Sequence, residues 1–304
     1  MLAAPINPSD LLFVGGQYGL GPKLPAQVGF EGVGTVIQHG GGLLGRFRIG
    51  QRVAVIAPQG GTWADYCVTR AEMVLPVPEV LTNQQAAVYF INPATALMLT
   101  RWVFQIPLGN WLIQSAANSA LGRMVILLGK HFKFRTLNIV RDPTEADELM
   151  DLGADWVIVE EGQSSSEDFL RQVDRACSGS RPRFAIDPVG GPVGSKILKA
   201  LGEQGHMKVI ANLSQTSLEI STSEILERNL RIEGFLLNRE IEKLALRDKL
   251  RFVKELAELH RGGFFDVEVF HSTPLSQWTA AIQAAQESSG GTKQLLQTTP
   301  AGNA

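Results

Sequence analysis

Cysteine is scarce in this chain of 304 residues: Cys67 and Cys177 are the only two, and they lie far apart. That gives no disulfide framework and suits a reducing cytoplasm. The five histidines (His39, His131, His206, His260 and His271) are dispersed, with no pair at metal-ligand spacing, so no structural or catalytic zinc is expected. No apolar run is long enough to span a bilayer, and no basic-then-apolar segment opens the chain. The net charge of −2 carries no basic excess that would point to nucleic acid or an anionic membrane surface. A complete Gly-x-Gly-x-x-Gly fingerprint is missing as well.

What is present is an ordinary globular composition, 44% hydrophobic and 19% charged, long enough for two domains with separate cores. The stretch around which the chain is organised is Trp111-Leu112-Ile113-Gln114, then Ser115-Ala116-Ala117-Asn118-Ser119-Ala120-Leu121-Gly122, then an apolar helical run. A short strand, a turn of small side chains and a helix start form a phosphate cradle, because small residues admit a diphosphate to the backbone and the helix start offers free N–H groups. Ala117 and Ser119 hold the first two glycine places and only Gly122 remains. By itself the stretch is either a nucleotide site or a buried βα unit.

Residues 1 to about 80 are rich in Gly, Pro and short β-type runs, at 32–37, 52–56 and 63–68, and read as a small antiparallel β-barrel. A strand begins almost at Met1 with nothing ahead to pair with it, so the barrel is expected to be open, with unpaired edges. Thr82-Asn83-Gln84-Gln85 is a capping box, and Asn92-Pro93 is expected to interrupt the helix it opens before it resumes over 94–102. From 111 to about 238 the pattern alternates. Strands are expected at 136–140, 156–159, 184–188, 206–211 and 230–237, with helices at 144–152, 167–176, 193–201 and 223–228. Such alternation implies a doubly wound parallel sheet, since parallel strands need crossover helices. A long amphipathic helix follows over 240–261, with Leu246, Leu250, Val253 and Ala257 as its apolar stripe. A strand at 267–270, a helix at 275–286 and a strand at 294–297 then return to complete the first sheet.

Together these features resemble the zinc-free branch of the medium-chain dehydrogenase/reductase superfamily that holds quinone oxidoreductases and mitochondrial-type 2-enoyl thioester reductases. The resemblance is carried by Ala4-Pro5-Ile6-Asn7-Pro8-Ser9-Asp10, Gly29-Phe30-Glu31-Gly32-Val33-Gly34, Ile49-Gly50-Gln51-Arg52-Val53, Gly61-Thr62-Trp63-Ala64-Asp65-Tyr66, Leu152-Gly153-Ala154-Asp155 and Asp187-Pro188-Val189-Gly190-Gly191. Asn118-Ser119-Ala120-Leu121-Gly122 and Leu137-Asn138-Ile139-Val140-Arg141-Asp142 look most like the enoyl thioester reductases. It implies an α/β fold: a Rossmann domain at 93–238, and a GroES-like β-barrel domain from 1–92 and 239–304 that lacks the family's first strands. Zinc-dependent relatives carry Cys near Asn7-Pro8 and His where Phe30 stands, so no metal is implied. The implied activity is NADPH-dependent reduction of a carbon–carbon double bond conjugated to a carbonyl, in an enoyl thioester. A quinone reductase and a catalytically silent NADPH-binding protein are the alternatives.

The resemblance also assigns residues. Tyr18 matches the tyrosine implicated in protonating the substrate α-carbon. Asn118, Ser119, Ala120, Leu121 and Gly122 would form the diphosphate turn, although Asn and Ser there also suit a plain helix cap. Arg141, at the end of the second strand of the parallel sheet, would grip a 2′-phosphate, and Asp142 beside it is the residue type that favours NAD instead. Asn92 and Lys293 match positions that touch the coenzyme. Ile210, Ala211, Asn212 and Leu213 would line it too, as would Phe235, Leu236, Leu237 and Asn238. Two of these segments depart from the family, which shows Tyr-Gly-Gly where Ile210-Ala211-Asn212 stands and Phe-Trp-Leu where Phe235-Leu236-Leu237 stands. Relatives pair through the sixth strand of the nucleotide sheet, so a homodimer through Ile232-Glu233-Gly234-Phe235-Leu236-Leu237 is expected.

Overall fold

The computed structural model describes residues 1–17, 23–161, 164–265, 269–287 and 291–298. Tyr18 lies outside the described residues, as do Val267 and Glu268 of one expected strand. The chain forms two compact units, Met1–Pro93 with Leu259–Ala304, and Ala94–Glu258. The first break falls one residue from the expected boundary, and the second lies at 258/259 instead of 238/239.

The first unit opens with strand β1 (Ala3–Pro5) and helix α1 (Pro8–Val14). Strand β2 (Glu31–Thr35), helix α2 (Leu43–Arg48) and strands β3 (Arg52–Ile56) and β4 (Val74–Pro76) follow. Helix α3 (Asn83–Ala87) begins at the expected capping box: Gln85 N–H donates to Thr82 Oγ1 at 3.2 Å, and Thr82 N–H to Gln85 Oε1 at 2.8 Å. Helix α4 (Ile91–Leu97) contains Asn92 and Pro93 in its first turn and continues as a π-helix over Met98–Val103. The expected interruption at Asn92-Pro93 is therefore misplaced, because proline needs no N–H in a first turn. The break falls at 88–90.

The second unit alternates as expected. Its elements are β5 (Trp111–Gln114), α5 (Ala120–Phe132), β6 (Arg135–Val140), α6 (Ala146–Leu152), β7 (Trp156–Val159) and α7 (Ser166–Ala176). They continue with β8 (Phe184–Asp187), α8 (Gly191–Ala200), β9 (His206–Val209), α9 (Thr222–Arg228) and β10 (Arg231–Gly234). The strands pair in the order β10-β9-β8-β5-β6-β7, all parallel. Chain order reverses direction between β8 and β5, and such a switch point opens a crevice beyond the strand C-termini. Ile113, Leu137, Ile139, Ala185 and Met207 form the sheet's fully covered core with Phe169, Val173, Ile197 and Leu198 from α7 and α8.

The helix expected over 240–261 is two helices, α10 (Leu237–Lys243) and α11 (Leu246–Arg261). The expected stripe is only partly covered: Leu246 and Leu250 are 74% and 65% exposed and Val253 and Ala257 half-buried, while Phe252, Leu256, Leu259 and His260 are buried. Aromatic partners decide which face turns inward. Phe252 packs edge-on against Trp102, and His260 stacks on Tyr89 with ring centroids 4.0 Å apart. Strand β11 (Val269–Pro274), helix α12 (Trp278–Glu287) and strand β12 (Thr292–Gln297) complete the first unit.

The first unit's strands pair in the order β11-β12-β1-β2-β3-β4. β1 therefore has partners on both sides, with Ala4 opposite Leu296 of β12 and Ala3 opposite Val33 of β2. The returning C-terminal strands complete this sheet as anticipated, and among the described residues it stays open between β4 and β11. No strand forms at the expected 63–68, and this run joins neither of the sheet's edge strands, β4 and β11. Instead Trp63 Nε1–H donates to Pro5 O at 3.1 Å and Trp63 N–H to Val28 O at 3.1 Å. No helix among the described residues is long and apolar enough to cross a membrane.

Candidate functional site

In the second unit the candidate residues gather at the C-terminal ends of β5, β6, β8, β9 and β10. The turn after β5 is bent by Ala116, whose φ is 47°, and closed by Ser119 N–H donating to Ala116 O at 3.0 Å. Ser119 caps α5, its Oγ accepting from Gly122 N–H at 3.2 Å. Neither the Ala120 nor the Leu121 N–H has a hydrogen-bond partner among the described residues, so the helix start presents two free donors. Gly122 is required for closeness: a Cβ there would lie 2.5 Å from Ala117 O and 2.6 Å from Ala117 Cα. Its carbonyl accepts from Gln114 Nε2–H at 2.9 Å, and the same amide nitrogen reaches Asn138 Oδ1 at 2.8 Å. Asn138 Nδ2–H in turn donates to Trp156 O at 3.0 Å, so a buried amide chain locks β5, β6, β7 and the head of α5 together.

Arg141, just past β6, is exposed and has no ion pair or hydrogen bond among the described residues. Asp142 is turned back on its own chain, with Oδ1 accepting from Thr144 N–H at 2.9 Å and Thr144 Oγ1–H at 2.7 Å. Those bonds hold its carboxyl below the usual range. Asn118 Nδ2–H donates to Glu145 Oε1 at 2.6 Å, and partial burial pushes the Glu145 carboxyl up. Two free N–H donors beside an unpaired guanidinium make this edge of the sheet an anion-accepting surface.

Beyond β8, buried Asp187 accepts from Ser115 Oγ–H at 2.5 Å and from the N–H groups of Val189 and Gly190, each at 3.0 Å. It ties the turn after β5 to the turn after β8 across the switch point. Ile210 and Leu213 follow β9, their N–H groups donating to Asp187 O and Pro188 O, each at 3.0 Å. Gly191 (φ 54°) lies so near this segment that a Cβ would meet Thr216 Oγ1 at 2.1 Å. Ala211 is half-buried and Asn212 exposed in the same segment. After β10, Phe235 is buried with its N–H on Val209 O at 2.9 Å, Leu236 and Asn238 are exposed, and Leu237 opens α10. Asp187 and Ser115 were not singled out from the sequence as site residues, and only the Asp187-Pro188-Val189-Gly190-Gly191 string marks the place.

Asn92 and Lys293 belong to the first unit. The Asn92 side chain has no hydrogen-bond partner among the described residues. The Lys293 ammonium donates to Asn7 Oδ1, and Asn7 Nδ2–H donates to Glu31 Oε1 at 2.8 Å. Asp10 accepts from Asn7 N–H at 2.8 Å and Phe30 N–H at 3.1 Å, and Glu31 Oε2 from Ile91 N–H at 2.9 Å. Burial drives both carboxyls up, each to about 7. A cavity of about 920 Å³ in this unit, lined by Thr35, Arg48, Asp65, Cys67 and Arg70, is bordered by none of the candidate residues. The described residues hold no group of three or more His, Cys, Asp or Glu that could hold a metal ion.

Comparison with known proteins agrees with this anatomy. Residues 1–79 match the alcohol dehydrogenase GroES-like domain, and residues 120–255 match the domain described as zinc-binding dehydrogenase. The mitochondrial enoyl-(acyl-carrier-protein) reductase of Rattus norvegicus is 32% identical over 300 residues, spanning 97% of this chain and 79% of the relative. A crystal structure assigned as an NADPH:quinone reductase from Bacillus thuringiensis is 28% identical, with a TM-score of 0.89 over 98% of this chain and 89% of that one. The mitochondrial 2-enoyl thioester reductase heterodimer of Candida tropicalis shares the fold, with 24% identity and a TM-score of 0.81 over 97% of this chain and 89% of that one. The chain belongs to the family of the mitochondrial enoyl-(acyl-carrier-protein) reductases, within the zinc-independent medium-chain dehydrogenase/reductase superfamily.

Proposed function

We propose that the chain is an NADPH-dependent reductase of activated carbon–carbon double bonds, with a 2-enoyl thioester as its substrate. The observation that carries the coenzyme choice is the arrangement at the end of β6: Arg141 makes no hydrogen bond or ion pair among the described residues and acts on Asp142 and Glu145 only through its charge, while Asp142 is hydrogen-bonded to Thr144. A carboxylate already bonded to its own turn competes poorly for a ribose hydroxyl, whereas a free guanidinium suits a 2′-phosphate. The donors at the head of α5 fit a diphosphate, and the missing Cβ at Gly122 lets the Ala117 turn pack directly against the helix start that carries them. Asn118, Ser119, Ala120 and Leu121 hold that group. The segments 210–213 and 235–238, with Asn92 and Lys293, complete the coenzyme contacts. NADPH, when bound, supplies the hydride that reaches the β-carbon. Tyr18, whose phenol is protonated at neutral pH, gives the α-carbon its proton and is reprotonated from solvent.

The test is consumption of NADPH by the purified chain with crotonyl-CoA or with benzoquinone. Loss of NADPH with crotonyl-CoA is the expected result; loss with the quinone alone would replace the thioester reading, and NADPH binding without turnover on either would make the chain a silent binder. Arg141→Ala should weaken NADPH roughly 10- to 100-fold while leaving NADH within about threefold, the size of a lost charge-assisted contact. Equal losses for both coenzymes would remove Arg141 from the 2′-phosphate.

We also propose that two copies pair through β10. All four of its residues are exposed at the edge of the parallel sheet, and Ile232 puts an apolar side chain there. Ile232→Lys should shift a dimer to monomer in sedimentation. An unchanged mass for the variant would move the interface elsewhere.

A further inference from the structure

Lys293 is only 8% exposed, yet its ammonium has one protein acceptor, Asn7 Oδ1, among the described residues. An ammonium has three N–H bonds, so two donor directions are left over at a buried charge. Such a group is costly unless something completes its coordination. The Asn7 amide has a definite sense. Its oxygen faces the ammonium and its nitrogen faces Glu31, and turning it over would set NH₂ against a cation and oxygen against a carboxylate. Above about pH 7, where the Glu31 carboxyl is ionised, charge at both ends therefore fixes which atom Lys293 meets.

Glu31 itself is immobile. It is 2% exposed on β2, its backbone is in register with Ile56, and its second oxygen is held by Ile91 N–H. Asp10 holds Asn7 by the main chain, through Asn7 N–H, and holds the same point to Phe30 N–H at the head of β2. Two carboxyls thus clamp one amide, one by its backbone and one by its side chain. The polar chain ends at the lysine's two spare donors.

We propose that Glu31 is a positioning residue of the coenzyme site, acting through the Asn7 amide to aim the Lys293 ammonium at the hydroxyl or phosphate oxygens of NADPH. This rests on the NADPH reading above. Glu31→Gln keeps the shape but gives the Asn7 side chain a partner that can donate as well as accept. The amide then loses its reason to face one way, and its NH₂ can turn toward the ammonium.

The experiment is a double-mutant cycle on NADPH affinity, read by fluorescence titration for the unaltered chain, Glu31→Gln, Lys293→Met and the double variant, each with a urea midpoint. Glu31→Gln should weaken NADPH about tenfold, and Lys293→Met by at least as much, as expected for hydrogen bonds to a charged group. In the Lys293→Met background the glutamine should cost nothing further. A structural role alone would carry the same loss into both backgrounds, and that additive result overturns the proposal while leaving the coenzyme reading intact. No NADPH binding by the unaltered chain overturns the coenzyme reading and this inference with it. Asn7→Ser cuts the same chain at its middle and should show the same non-additivity, which keeps the test available if Glu31→Gln does not fold.

Discussion

Gly122→Ala should destabilise the second unit by about 3 kcal/mol, the upper end for overpacking a close contact, and should lower NADPH affinity by roughly 100-fold. The added Cβ would sit 2.5 Å from Ala117 O, 2.6 Å from Ala117 Cα and 2.7 Å from Ala117 C, all backbone atoms that have no rotamer to yield. Relief requires the head of α5 to move off the turn. That motion stretches the Ser119 cap on Gly122 N–H and the Gln114 bond to Gly122 O, and it carries the free Ala120 and Leu121 donors away from a diphosphate. Ser119→Ala is the calibrating variant: it removes one cap, should cost about 1 kcal/mol, and leaves the helix where it is. Urea unfolding and NADPH titration measure both. An alanine at 122 that keeps affinity within threefold would show that the diphosphate is not held at this turn.

That glycine was legible in the sequence for the same reason the parallel sheet was. Short apolar strands followed by helices repeat locally, and a cap residue sits three places ahead of the group it binds. The distinction between Arg141 and Asp142 was legible only in part. Their place at the end of β6 follows from strand order, but which is free depends on Thr144, two residues beyond the aspartate. The cluster in the first unit could not be read as a cluster. Lys293 and Asn7 are 286 residues apart in the chain, and Asn7 and Glu31 are 24 apart, so no periodicity links them. Only the return of β12 to lie beside β1 brings them together. The misjudged stripe on α11 has a related cause. Leu246, Leu250, Val253 and Ala257 mark a face by their spacing, but Phe252 and His260 find aromatic partners from far earlier in the chain, and those contacts choose the face that is covered.

Stability should fall as pH rises from about 5 to 8, and the Asp10–Glu31 pair should account for most of the fall. Both carboxyls ionise at about 7 in the folded chain, against ordinary values of 3.8 and 4.5, because burial disfavours the anion more than the surrounding N–H donors and Lys293 favour it. A raised pKa means the folded chain binds more protons than the unfolded one. Its stabilising contribution is complete below about 4 and is lost as pH climbs through about 7. Each group contributes a slope of up to about 1.4 kcal/mol per pH unit, so the pair amounts to a few kcal/mol. His260 acts in the opposite sense. Burial lowers it to about 4 from 6.5, so its contribution is present above 6.5 and is lost as pH falls through 4. Below pH 6.5 the single histidine opposes part of the two carboxyls' effect. Asp10→Asn isolates the Asp10 share. The stability gap between the unaltered chain and this variant should narrow by a few kcal/mol between pH 5 and 8, since the amide cannot ionise, while His260 and the other groups that do not feel the Asp10 charge cancel in the difference. A gap that stays constant across urea titrations at pH 5, 6, 7 and 8 would mean that Asp10 keeps its ordinary acidity despite its burial, and that the clamp on Asn7 is a permanently charged one.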